Sequence, residues 1–255
     1  MSNYHLEVKN ISRCKNRSFV RLTNYITGER LNDEYNGKTY YDTRNDVIFH
    51  CILLPPTVPC DFRDLQTLYT KIDQAEKRYD ARTAREFIGS LPNELSYADL
   101  IKITYEFVQT NFVEHGLAAI IGIHSGINRK DPSKNNPHAH ILVSTRQVDA
   151  YGFSKHKYRE FNKKSYITIW RESWAELQNR AYRNRGLDIR VSSDSLEVQW
   201  LEREPLKNLS LAAYRLEQKG VRTRAGDENR AIKMRNAERV FLNELKHIHN
   251  LERSR

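Results

Sequence analysis

The sequence predicts an α+β fold: a central antiparallel sheet of about five strands covered by helices, with a helical C-terminal extension. Three observations carry that expectation. The first 150 residues interleave short apolar or alternating runs of strand length with longer stretches of helical spacing. Two of those runs, Leu117–Ile123 (LAAIIGI) and Ile141-Leu142-Val143, are wholly apolar, as strands buried on both faces are. From about residue 163 the pattern turns helix-prone and charged to the end of the chain.

Taken in order, YHLEV over residues 4–8 alternates apolar and polar residues and reads as a first strand with Tyr4, Leu6 and Val8 facing the core. Residues 17–30 read as a helix closed at or just after Gly28, with Tyr25 in its second half. Residues 38–54 read as a β-hairpin: Thr39-Tyr40-Tyr41, a turn around Arg44-Asn45-Asp46, then Val47 to Leu54. Pro55, Pro56 and Pro59 close it, and residues 65–78 are expected to be helical. Residues 85–91 (REFIGSL) read as a strand that sets Glu86 among apolar neighbours. Ser96 with Asp99 makes a capping signal for a helix whose stripe is Ile101, Tyr105, Val108 and Phe112, ended by Gly116. Residues 163–185 form a long helix with a stripe of Ile169, Trp170, Trp174, Leu177 and Ala181. Helices over 209–219 and 227–253 follow, punctuated by Gly220 and Gly226.

A chain of 255 residues has room for one large domain, or one domain with an extension. Its net charge of +10 points to a polyanionic partner. Residues 155–255 hold 23 Lys and Arg against 14 Asp and Glu, so the surplus sits almost wholly in the C-terminal part. No apolar run reaches membrane-spanning length, and MSNYHLEVKN lacks the basic-then-apolar pattern of a signal peptide. A cytoplasmic protein with no membrane association is therefore expected. Cys14, Cys51 and Cys60 lack CxxC spacing and are odd in number, which suits reduced thiols.

The stretch with most chemistry is HSGINRKDPSKNNPHAHILVSTR, residues 124–146. On a strand, His138 and His140 emerge side by side on one face. A preceding strand that ends at His124 adds a third imidazole. Three protein ligands leave open positions on a divalent metal, the arrangement of a catalytic rather than a structural site. The bland alternative is a group of surface histidines. A second His-X-His, His247-Ile248-His249, lies in a helical tail; there the two rings point apart and cannot share a metal.

An open metal site can activate water or polarise a phosphoryl oxygen. HExxH, the metalloprotease pattern, is absent. On a basic protein with a tyrosine on a nearby helix, phosphoryl transfer to that tyrosine is the better fit. A phenol is protonated at neutral pH, so its attack needs help from the metal or a base. Fourteen tyrosines are present, and the residues alone leave Tyr40 and Tyr41 as rivals to Tyr25.

YHLEVKNISRCKNRSFVRLTNYITGERL and the later IHSG…NNPHAHILVSTR resemble the MobA/MobL family of plasmid relaxases, within the HUH endonuclease superfamily. REFIGSLPNEL and AAYRLEQKGVRTRAGDENRA are similar to family patterns as well. Such enzymes nick one DNA strand at a transfer origin and stay joined to its 5′ end through a phosphotyrosine. The resemblance implies Tyr25 as nucleophile, His124, His138 and His140 as metal ligands, and Glu86 as a carboxylate orienting a ligand imidazole. For Glu86 the alternative is a surface glutamate on an edge strand; Arg85 beside it reads as facing the other way, toward solvent. The metal implied is Mg²⁺ or Mn²⁺, although three imidazoles would also accept Zn²⁺, Co²⁺ or Ni²⁺. Implied too are a catalytic core over residues 1–160 with an HUH-type sheet, and a basic, thumb-like helical extension over 161–255 packing on the core and clamping DNA, with one continuous domain as the alternative.

The expected partners are origin-of-transfer DNA, as a hairpin plus single strand, and accessory mobilisation and type IV secretion coupling proteins in a bacterial cytoplasm. The chain departs from the family in the bulkier residues before Tyr25, Phe19 to Asn24, and at Asn208-Leu209-Ser210, where relatives carry a His-Leu-Gly pattern. A single tyrosine in the nucleophile region implies one-tyrosine chemistry. Rival readings are a rolling-circle replication initiator with the same chemistry, a non-catalytic DNA-binding accessory protein, and a zinc hydrolase using activated water.

Overall fold

Residues 4–13, 18–34, 36–41, 45–195, 198–199 and 203–253 are described by a computed structural model. They separate into two compact units, Met1–Ser193 and Asp194–Arg255. The first unit opens with strand β1 (Leu6–Ser12) and helix α1 (Phe19–Thr27), followed by β2 (Leu31–Asp33), β3 (Lys38–Tyr40) and β4 (Val47–Leu53). Helix α2 (Leu65–Ala75), β5 (Arg82–Ser90), α3 (Tyr97–Asn111), β6 (Leu117–His124), β7 (His138–Asp149), β8 (Gly152–Phe153) and α4 (Ser165–Asn184) complete it. The second unit holds α5 (Leu211–Gln218) and α6 (Arg224–Arg253).

The expected α+β class is the observed one. Five strands pair in the order β1-β5-β7-β6-β4, with β8 joined to β7, and every pairing is antiparallel. Both faces of the sheet are covered. Phe87, Ile121, Ile141 and Val143 face α3 and α4, whose Phe107, Trp170 and Trp174 fill that core. Ile120 and Leu142 face Phe19, Val20 and Ile26 of α1 and Leu68 and Ile72 of α2. This is why β6 is buried at every residue: a strand between two helical layers has no wet face, so its sequence shows no alternation.

Several local expectations shift. The 38–54 hairpin does not form; β3 pairs with β2 in a separate two-stranded sheet, and β4 pairs with β6. Asp33 explains the change, since its carboxylate accepts the Asn36 backbone N–H at 3.0 Å and side-chain amide at 2.8 Å, closing the turn that joins β2 to β3. Helix α1 begins at Phe19 because the Ser18 hydroxyl caps the Arg21 N–H at 3.2 Å. In α3 the buried face is Leu100, Ile103, Phe107 and Val108, which rotates Tyr105 outward to 47% exposure. Ile169 of α4 is likewise exposed, whereas Trp170 and Trp174 are sealed.

Helix α4, expected to open the C-terminal extension, lies within the first unit, and the second begins at Asp194. Within that second unit Gly226 sits in the first turn of α6 rather than between helices; a Cβ there would meet Glu217 Oε1 at 1.9 Å. Part of the basic surplus is paired locally: Arg235 and Arg239 hold Glu204, and Arg230 bridges Glu217 and Asp227. Residues 14–17, with Cys14 and Arg17, lie outside the described residues, as do the side chains of His247 and His249. Cys51 and Cys60 are free thiols. Among the described residues no helix is long and apolar enough to cross a membrane.

Candidate active site

Strand register builds the site. His138 of β7 sits opposite His124 of β6 and Ser90 of β5; one row along, His140 sits opposite Gly122 and Ile88. Residues paired across antiparallel strands, and those two apart on one strand, share a face, so the three imidazoles gather on the face covered by α1. Their ring centroids lie 5.0 to 5.3 Å apart, and one ligand nitrogen from each falls within 4.8 Å of the others.

Tyr25 lies over this trio. Its ring centroid is 5.3 Å from that of His124 and 5.4 Å from that of His140. Helix α1 sets it there: Phe19, Val20 and Ile26 bury into the sheet, and Gly28 in the left-handed region ends the helix, its N–H donating to the Asn24 carbonyl at 2.8 Å. Glu86 is 4% exposed on the interior strand β5, which disposes of the edge-strand alternative, and its Oε1 lies 3.2 Å from His140 Nδ1. Arg85 does face the other way, but it is half-buried, its guanidinium 5.3 Å from the Trp170 ring centroid and 3.0 Å from the Asn162 side-chain oxygen. The sheet and α1 thus bring together the five residues singled out from the sequence.

Other partners were not singled out. Asp46, just before β4, places Oδ2 3.9 Å from His124 Nδ1. The Asn136 carbonyl lies 2.8 Å from His138 Nδ1, and the Ile26 carbonyl 3.1 Å from His124 Nε2. Gly122 lets α1 approach β6. A glycine inside an otherwise apolar strand is the sequence signal for such an approach.

Two nitrogens of the trio, His124 Nδ1 and His140 Nε2, are buried without a hydrogen-bond partner. Leaving a buried acceptor unpaired costs on the order of 1–3 kcal/mol, and a divalent cation held by the rings would satisfy both. Three imidazoles at a site that buries two of the rings and leaves His138 partly exposed therefore fit a divalent metal. His124 carries a second mark of this enclosure. Burial pulls its pKa down to about 4; the Ile26 carbonyl and Asp46 oppose the shift, and His140 and His138 reinforce it.

The unfolded chain regains an ordinary histidine near 6.5, so between about pH 6.5 and 4 the unfolded state binds the extra proton. Stability from this group is complete above about 6.5 and is lost on acidification, at up to about 1.4 kcal/mol per pH unit. Urea titrations of metal-free protein at pH 7, 6, 5 and 4 check this expectation; a flat profile would contradict it.

An antiparallel sheet with three histidines on one face, under a helix-borne tyrosine, defines a class of α+β protein with a sheet-borne histidine cluster. The model of the MobA/MobL family matches residues 17–219, and the chain belongs to that family. It is 28% identical to a probable mobilization protein MobA of Bifidobacterium longum, over 92% of this chain and 48% of that protein. It is 27% identical to the mobilization protein MobL of Acidithiobacillus ferridurans, over 90% and 66% respectively. The chain thus spans about half the length of the first relative and about two thirds of the second. A structure solved for the molecular basis of vancomycin resistance transfer in Staphylococcus aureus matches with a TM-score of 0.68 and 27% identity, covering 75% of this chain and 98% of that one.

Proposed function

We propose that this chain is a DNA relaxase that nicks one strand at a plasmid origin of transfer, holds the 5′ phosphate on Tyr25, and rejoins the ends during conjugative mobilisation. The observation that carries the reading is the placement of the Tyr25 ring over a trio of imidazoles, two of them buried and each of those two with an unpaired nitrogen. Family membership and the mobilization proteins it resembles support it.

In the step proposed, Tyr25 Oη bonds to the scissile phosphorus and the bond to the 3′ oxygen breaks. The phenol proton is lost and the 3′ oxygen gains one, so the exchange is proton-neutral overall. Phosphotyrosine keeps a phosphodiester linkage, and resealing needs no nucleotide cofactor. His124, His138 and His140 would hold a divalent ion, which supplies charge withdrawal from the non-bridging phosphate oxygens. Mg²⁺ or Mn²⁺ is the ion proposed, and Zn²⁺, Co²⁺ or Ni²⁺ fit the nitrogen donors. Glu86 fixes the ring of His140 by accepting its Nδ1–H, the part an outer carboxylate plays at metal sites. Residues of the basic second unit would contact DNA phosphates, which makes affinity fall with salt.

The test is incubation with labelled origin-of-transfer oligonucleotides and Mn²⁺, then denaturing electrophoresis. A detergent-stable conjugate that a chelator abolishes and fresh Mn²⁺ restores is the expected result. Cleavage without a conjugate would reject the proposal in favour of hydrolysis by activated water.

A further inference from the structure

We infer that the three histidines meet the metal through different nitrogens, His124 through Nδ1 and His138 and His140 through Nε2, and that this asymmetry ties the ion to the helix carrying Tyr25. The inference rests on the metal-binding reading above and goes beyond it.

A carbonyl oxygen only accepts hydrogen bonds. The Ile26 carbonyl lies 3.1 Å from His124 Nε2, so that nitrogen carries the proton and Nδ1 is the bare donor. His138 Nδ1 faces the Asn136 carbonyl at 2.8 Å, and His140 Nδ1 faces Glu86 Oε1 at 3.2 Å. Those two rings are protonated on Nδ1 and offer Nε2. The buried nitrogens without partners agree, being Nδ1 on His124 and Nε2 on His140.

Ile26 is the residue after Tyr25, in the last turn of α1, where carbonyls lack intrahelical partners. The His124 ring supplies one. The contact exists because β6 is bare at Gly122, where a Cβ would stand 2.1 Å from the Ile26 oxygen and 2.9 Å from its carbonyl carbon. A cation on Nδ1 withdraws electron density from the imidazole and strengthens its Nε2–H as a donor. The ion thereby grips the end of the helix that presents the nucleophile. Ile26 and Gly122 are positioning residues in this scheme.

The test uses the full chain, ¹⁵N-labelled, with and without the diamagnetic probe Zn²⁺, and two-bond imidazole ¹⁵N–¹H correlation to read which ring nitrogens are protonated or metal-bound. Expected are a zinc-bound Nδ1 on His124 and zinc-bound Nε2 on the other two. A Gly122→Ala variant, which pushes the Ile26 oxygen away, should bind Zn²⁺ about 10- to 100-fold more weakly by calorimetry, the usual loss when an outer partner of a metal ligand is removed. Zinc bound through Nε2 of all three rings would overturn the inference and leave the metal site standing. Absence of zinc binding would overturn both. If Gly122→Ala fails to fold, the nitrogen assignment in the unmodified chain still decides.

Discussion

Tyr25→Phe should abolish the covalent conjugate proposed with origin DNA while leaving the fold, the metal affinity and non-covalent DNA binding in place. The substitution removes one oxygen and keeps the ring, so the contacts at 5.3 and 5.4 Å to His124 and His140 survive. Removing a nucleophile lowers turnover by about a thousandfold or more, whereas removing a neighbour that only packs changes it little. The conjugate band on a denaturing gel should vanish, with Mn²⁺ titration curves of variant and parent superimposing. Tyr40→Phe and Tyr41→Phe are the matched controls. Tyr40 ends β3 in the separate two-stranded sheet, Tyr41 is 71% exposed, and neither stacks on the trio among the described ring contacts. Both should retain the conjugate. A conjugate that persists in Tyr25→Phe would transfer the nucleophile's role elsewhere, and no conjugate with the unmodified chain would favour the non-catalytic accessory reading.

The histidine pair was legible in the sequence because a strand's period of two is local: His138 and His140 share a face whatever the strand pairs with. His124 was legible because the run before it is apolar throughout. Of the partners that orient these rings, Glu86 came with the family resemblance and the Asn136 carbonyl is local to His138, but Asp46 and the Ile26 carbonyl were not legible, because each is set by register or by tertiary approach. Asp46 reaches His124 only because β4 pairs with β6 instead of with β3. The Ile26 carbonyl reaches it only because α1 crosses β6 at Gly122. Main-chain carbonyls have no letter in a sequence, so half of the ligand-orienting contacts leave no residue-type signal.

Elsewhere the same limit appears as rotated helix faces. Periodicity located α3 but put Tyr105 on its core side, since three- and four-residue spacing admits two adjacent stripes and only packing on the sheet selects one. Glu76, within the stretch 65–78 expected to be helical, is 3% exposed and accepts Arg146 at 2.8 Å and Lys157 at 2.9 Å. Burial alone would raise its pKa, but those hydrogen bonds and the Lys157 charge outweigh it and hold the carboxyl below its usual range. The partners come from β7 and from the segment after β8, some 70 to 80 residues on.

The second large effect concerns what keeps the sheet rigid beneath the site. Trp174→Ala should destabilise the first unit by about 3–5 kcal/mol, the range for emptying a buried Trp or Phe position. Trp174 is fully buried, packs edge-to-face on Phe107 with centroids 4.9 Å apart, and donates its indole N–H to the Ser90 carbonyl at 3.2 Å. It also sits against Gly89, where a Cβ would lie 2.6 Å from the indole ring. Neither α4 nor β5 can move in to fill the space: Trp170, four residues away, is held by Phe87 and Phe112, and β5 is fixed between β1 and β7. The lost area therefore becomes a cavity, and the Ser90 carbonyl loses its indole donor while the longer bond from Gln178 at 3.4 Å remains. Ser90 lies in register with His138, so loosening β5 at this point also loosens the row that carries the trio. Denaturant titration should show the loss directly, and the melting temperature should fall on the order of 10 °C. Zn²⁺ affinity measured on protein that is still folded should drop less than in Gly122→Ala, because Trp174 lies on the opposite face and touches none of the ligand rings. A cost below about 1 kcal/mol would mean that the helices on that face close over the gap, and that the sheet owes its rigidity to its own hydrogen bonds instead.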